Sequence, residues 1–149
     1  MKKTKINPRV VTHIPASKLN QTTTTRKKSQ RKLALGIWNV QGWRTKDKEV
    51  IAEFESMKLD IMIMTETKKK GNGTEKMGEI IHCWSGIDKK ERAKAGIAII
   101  LKKKWEPAIE NWEPINERIA KLNLKVYERQ IILLAVYGPT ENSSIAEKE

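Results

Sequence analysis

The chain has 149 residues, enough for one domain with a packed core, and at 38% hydrophobic against 32% charged residues it is polar for its size. Its single cysteine excludes an internal disulfide and any multi-cysteine zinc site. No apolar run reaches the roughly 18–20 residues of a membrane span, and none forms a secretory core near the N-terminus, so no membrane partner is expected.

The net charge of +12 is uneven: residues 1–36 hold 10 Lys/Arg and no acid, whereas residues 37–149 hold 20 Lys/Arg against 18 acids. A basic arm on a near-neutral body suits an anionic partner such as nucleic acid, and the same composition describes a solvated tail. Residues 1–32 show no hydrophobic period and are expected to be a basic disordered tail, with Pro8, Pro15 and four consecutive threonines breaking any element. The basic cluster at residues 26–32 reads as a nuclear localisation signal. A mitochondrial presequence is the alternative, because this leader is basic, acid-free and rich in Ser/Thr.

Residues 33–40 are predicted to form the first strand, apolar on both faces at its end like a buried central strand. Residues 45–57 read as a helix, with Val50, Ile51, Phe54 and Met57 on one face and Thr45 as its cap. Residues 60–66 form the second strand. Strand–helix–strand at this spacing is a crossover unit, so the two strands are parallel and their C-terminal ends share one rim. Asn39 and Glu66 close these strands and meet there, on the side that binds ligands in α/β sheets.

Lys68-Lys69-Lys70-Gly71-Asn72-Gly73 then reads as a basic loop, residues 79–84 as a short strand, and residues 96–101 as a strong one. Residues 118–126 and 130–137 form a hairpin turning at Tyr127-Glu128-Arg129. Helix is scarce after residue 57.

Two hard oxygen donors at one rim suit Mg²⁺, which accepts one or two carboxylates and keeps several waters. An Asn and a Glu at strand ends also serve as caps or solvated ends. Tyr137, just before Gly138-Pro139, can face the same rim. Lys68, Lys69 and Lys70 are candidate phosphate contacts. Among the tryptophans, Trp38, Trp84 and Trp105 sit in or beside apolar runs and read as core. Trp43 and Trp112 lie in polar surroundings and are candidates for stacking on bases. His82 and Cys83 lie in an apolar strand and read as core residues.

Five stretches carry a resemblance: Ile37-Trp38-Asn39-Val40, Thr65-Glu66-Thr67-Lys68, Ala95-Gly96-Ile97-Ala98-Ile99, Glu117-Arg118-Ile119-Ala120 and Val136-Tyr137-Gly138-Pro139-Thr140. In order and spacing, residues 33–142 resemble the endonuclease/exonuclease/phosphatase superfamily. They are most similar to the endonuclease domains of non-LTR retrotransposons and to craniofacial development protein 2-like proteins. The resemblance implies a four-layer α-β-β-α sandwich of the DNase I-like kind, of which these residues form the first half, mostly one mixed sheet with one clear helix. It implies Mg²⁺-dependent (or Mn²⁺-dependent) phosphodiester hydrolysis of DNA. Glu66 is implied as a metal ligand, Asn39 as a ligand-orienting or phosphate-contacting amide, and Tyr137 as a phosphate-positioning hydroxyl. Arg118 is placed in the sheet with no role.

The resemblance also implies a second half that supplies an Asp-x-Asn pair, further aspartates and an Asp-His pair that activates the attacking water. No Asp follows Asp88 in this sequence, and residues 143–149 are simply polar. The domain is therefore expected to be partial and near-inert alone; the alternatives are a non-catalytic basic nucleic-acid-binding protein and a half-domain that needs a complementing C-terminal half-domain. A large apolar face and an open strand edge are expected to lie bare.

Overall fold

The computed structural model describes residues 9–13, 32–139, 143 and 145–148. Strand β1 (Arg9–His13) runs antiparallel to β2 (Ala34–Asn39). Part of the stretch expected to hold no element is thus a strand: Val10, Val11 and Thr12 are branched residues suited to a sheet edge. The rest of that stretch up to residue 31, with most of the basic cluster, lies outside the described residues.

The crossover forms as expected. Helix α1 (Asp47–Ser56) links β2 to β3 (Ile61–Thr65), which pair in parallel from Leu35 opposite Ile61 to Asn39 opposite Thr65. Val50 and Phe54, one turn apart, are the buried positions of α1, and Asp47 and Glu49 suit the positive end of its dipole. The cap differs from expectation. It is Lys46 and makes no side-chain cap bond, because Lys46 N donates to Trp43 O in a turn that carries the chain past Thr45.

Strands β4 (Asn72–Met77), β5 (Ile80–Ser85) and β6 (Ile97–Lys102) complete a six-stranded mixed sheet in the order β1-β2-β3-β6-β5-β4. β4 continues the loop expected from residue 68. It is an edge strand with alternating half-buried and exposed residues, so it carries no apolar run. A 3-10 turn (Lys103–Ala108) leads into a second, antiparallel sheet of β7 (Ile109–Asn116), β8 (Ile119–Val126) and β9 (Arg129–Val136). The predicted hairpin is therefore not part of the first sheet. A short α2 (Ile145–Lys148) follows.

Alternation along β6 explains its unbroken apolar run. Ile97, Ile99 and Leu101 face Ala120, Leu122 and Leu124 of the second sheet; Ala98 and Ile100 face the α1 side with Val50 and Phe54. Cys83 sits in the core between the sheets, where burial pushes its thiol up to about 12. Most of the face expected to lie bare is thus covered. Among the described residues, Ile132, Leu134 and Val136 form an open apolar row on the outer side of β9, 64%, 57% and 58% exposed, and Ile37 on β2 is also open.

Candidate functional site

Inward-facing positions run through Ile37 and Asn39 on β2 and through Leu133, Ala135 and Tyr137 along β9. Asn39 and Tyr137 therefore come to the mouth between the two sheets. Glu66 joins them from the residue after β3. Asn39 Nδ2 donates to Glu66 Oε1 at 2.9 Å, and the Tyr137 hydroxyl donates to the same oxygen at 2.6 Å. Residues 71 apart in sequence thus meet on one carboxylate.

Backbone bonds fix this rim. Gly42 N donates to Glu66 O and Trp43 N to Thr67 O, both at 2.8 Å, tying the loop after Asn39 to the loop after β3. Thr67 N donates to Gly96 O, and Gly96 N to Glu117 O, which reaches the turn before β8. Gly96 has φ +115°, and a Cβ there would lie 2.5 Å from Thr67 Oγ1, so glycine is required for this close approach. Glu66 itself has φ 53°. A non-glycine residue in that region is held by its surroundings, a feature that clusters at functional sites.

Partial burial pushes the Glu66 carboxyl up, but the bonds from Tyr137 and Asn39 and the charge of Lys68 outweigh it and hold the group below its ordinary value. The hydrogen bond to Glu66 is the main cause that raises the Tyr137 phenol; burial and the Glu66 charge add to it, and Arg118 opposes. At neutral pH the site therefore holds an ionised carboxylate and a protonated phenol.

Asn39 Oδ1 accepts Gln41 N at 3.2 Å and its Nδ2 donates to Glu66, an arrangement in which the amide is placed to orient the carboxylate. Trp43 departs from expectation. It is 5% exposed, with its ring 4.6 Å from that of His82, so no base can stack on it; the ring folds back onto the α1 side of the sheet. Trp112 is half-buried and packs against the core between the sheets. Lys68, whose charge acts on Glu66, and Lys70 are exposed, whereas Lys69 pairs with Glu75 at 2.6 Å.

Two features were not legible from sequence. Arg118 lies in the turn between β7 and β8 rather than in a strand. Its backbone carbonyl accepts Tyr137 N at 2.8 Å, and its guanidinium lies 5.3 Å from the Tyr137 ring and 3.3 Å from Gly138 O. The second is the loop at residues 86–95. It is joined to the lysine loop by Gly71 N to Ile87 O and Gly86 N to Gly71 O, both 2.7 Å, and Lys70 Nζ donates to Lys89 O at 3.0 Å. Lys89, Lys90, Arg92 and Lys94 are all exposed, and their clustering as four cations in six residues was the available signal.

No protein-family model matches the sequence, and no curated protein matches it. Solved structures do. An AP endonuclease from Archaeoglobus fulgidus aligns over 72% of this chain and 41% of its own, with 22% identity and a TM-score of 0.51. An AP endonuclease from Leishmania major aligns over 75% and 42%, with 14% identity and a TM-score of 0.57. The chain has the DNase I-like fold of these AP endonucleases. A 3′ phosphatase from Neisseria, bound to a product DNA hairpin, shares this DNase I-like fold over 70% and 40%, with 15% identity and a TM-score of 0.50. The chain spans about two fifths of the length of these solved structures.

Both hydrogen bonds to Glu66 fall on Oε1, leaving Oε2 without a partner among the described residues. One open carboxylate oxygen suits a hydrated Mg²⁺, which needs only one or two carboxylates. Among the described residues no group of three or more His, Cys, Asp or Glu is gathered to hold a metal. A single open oxygen on Glu66 would suit only a weakly held, largely hydrated ion.

Proposed function

We propose that this chain carries the Glu66-centred part of a Mg²⁺-dependent (or Mn²⁺-dependent) DNA endonuclease site of the non-LTR retrotransposon type. The observation that carries this is the meeting of Asn39 and Tyr137 on Glu66 Oε1 at the mouth of a DNase I-like sandwich. The order of the five sequence stretches supports the retrotransposon type. The basic cluster at residues 26–32 supports a nuclear location.

Asn39 and Tyr137 orient Glu66, whose second oxygen would hold the ion. When bound, that ion would polarise a phosphoryl oxygen. Tyr137 keeps its proton on the bond to Glu66, so donating to phosphate would require it to release that carboxylate; Lys68, Lys70 and the cations at 89–94 are the groups that line the approach for a DNA backbone. A base is missing from the described rim. His82 is buried on the α1 side and bonded to Glu75, and losing a catalytic base costs about 10²–10⁴-fold in rate. These 149 residues are therefore expected to bind DNA without cutting it efficiently.

A specific observation favours completion by a further segment. β7 lies over β5 and β8 over β6, which among the described residues leaves β9 as an open edge and the inner face of β2 uncovered at Ile37, 39% exposed. A strand paired to β9 would lie over β2 and cover Ile37. A second copy docking through its own β9 would bring its first sheet into the space of β2 and β1, so a strand from a complementing half-domain fits better.

Nicking of supercoiled plasmid in Mg²⁺ is the direct test. The chain alone is expected to nick no faster than Glu66→Ala; wild-type nicking abolished by Glu66→Ala would overturn the claim of inactivity.

A further inference from the structure

His82 stands in an otherwise apolar strand and its side chain is fully buried. Its partner is Glu75, directly opposite on β4, whose Oε1 lies 2.8 Å from His82 Nδ1. An ionised carboxylate only accepts, so Nδ1 carries the proton and Nε2 is the lone-pair nitrogen. Nε2 is buried with no partner. A phenylalanine would fill this space without stranding a nitrogen, so what the imidazole adds over packing is its bond to Glu75.

Contacts from this pair run back to the site by two routes. The His82 ring lies 4.6 Å from that of Trp43. Trp43 ends the loop that begins at Asn39, and that loop is bonded to Glu66 O and Thr67 O through Gly42 N and Trp43 N. By the second route, Glu75 Oε1 takes Lys69 Nζ at 2.6 Å, and Lys69 Nζ also lies 3.6 Å over the Trp84 ring. Lys69 is three residues beyond Glu66. The loops that follow Asn39 and Glu66 are therefore both anchored on one His82–Glu75 pair behind the sheet. Between them Glu66 sits at φ 53°, a conformation its own backbone resists.

We infer that His82 is a positioning residue for Glu66, acting through Trp43 on one side and through Glu75 and Lys69 on the other. The inference rests on Glu66 being the functional carboxylate, as proposed above. Its test uses the Tyr137 phenol, raised by Glu66, as a local reporter.

In a Tyr127→Phe background Tyr137 is the only tyrosine, and its titration is followed by ¹³Cζ NMR. His82→Leu and Glu75→Gln are expected to return the phenol toward its ordinary pKa and to weaken Mn²⁺ binding by about 10–100-fold. His82→Gln, which keeps a donor toward Glu75, is expected to preserve more of the shift than His82→Leu. Should His82→Leu not fold, Glu75→Gln decides, because that carboxylate is partly exposed. An unchanged phenol in folded variants would overturn the inference while leaving the Glu66 site standing. A phenol already ordinary in the Tyr127→Phe parent would overturn the Glu66–Tyr137 arrangement and the inference with it.

Discussion

Glu66 receives two donors on one oxygen, and His82, on β5 two strands from β3, is buried with one nitrogen bonded and one bare among the described residues. Burial is the main cause that lowers His82 from its ordinary 6.5 to about 4, against the opposing bond to Glu75. The unfolded chain therefore binds more protons than the folded one between those values, so stability rises with pH across that window and falls as pH drops through it. Asp60, Glu66 and Glu75 all sit below their ordinary values. Their contributions are lost only at lower pH, as it falls through the carboxylate range. Urea unfolding is expected to show a loss of about 2 kcal/mol between roughly pH 7 and pH 5, and His82→Phe should flatten it. An equal loss in His82→Phe would assign that window to another group.

At the scale of elements, what was legible follows from burial. β2, β3, β6, β8 and β9 announce themselves because one or both faces meet a core, and the crossover then brings Asn39 and Glu66 together. β4 stayed hidden because an edge strand with a half-exposed face needs no apolar run, and β7 because its residues mix Asn111, Glu113 and Pro114 with Trp112. Arg118 falls outside its expected strand because the register of a turn between two strands is set by pairing, not by composition. Trp43 departs from expectation because polar neighbours hide the direction its ring takes. The opposite end of the sandwich depends on Asp60, which accepts Ala34 N and Trp105 Nε1, each at 3.0 Å, and pairs with Lys104 at 2.7 Å. Asp60→Ala would strand the buried donors that join β2, β3 and the 3-10 turn. It should cost about 3 kcal/mol in chemical denaturation, and a change below about 0.5 kcal/mol would show that these bonds do not hold that end.

At the scale of the molecule, the described residues present a basic rim where the lysine loop that follows Glu66 and residues 86–95 lie against each other. Replacing exposed Lys68, Lys70, Lys89 or Lys90 with Gln should weaken DNA binding and reduce the slope of log affinity against log salt by about 0.9 for each phosphate no longer neutralised. An unchanged slope would move the DNA surface elsewhere. The central claim is that Glu66 is a preformed metal ligand oriented by Asn39 and Tyr137. It is tested most directly by titrating the isotope-labelled chain with Mn²⁺ and mapping paramagnetic line broadening. The expected result is broadening centred on Glu66, Asn39 and Tyr137 that disappears in Glu66→Gln; broadening centred elsewhere, or persisting at these residues in Glu66→Gln, would contradict it.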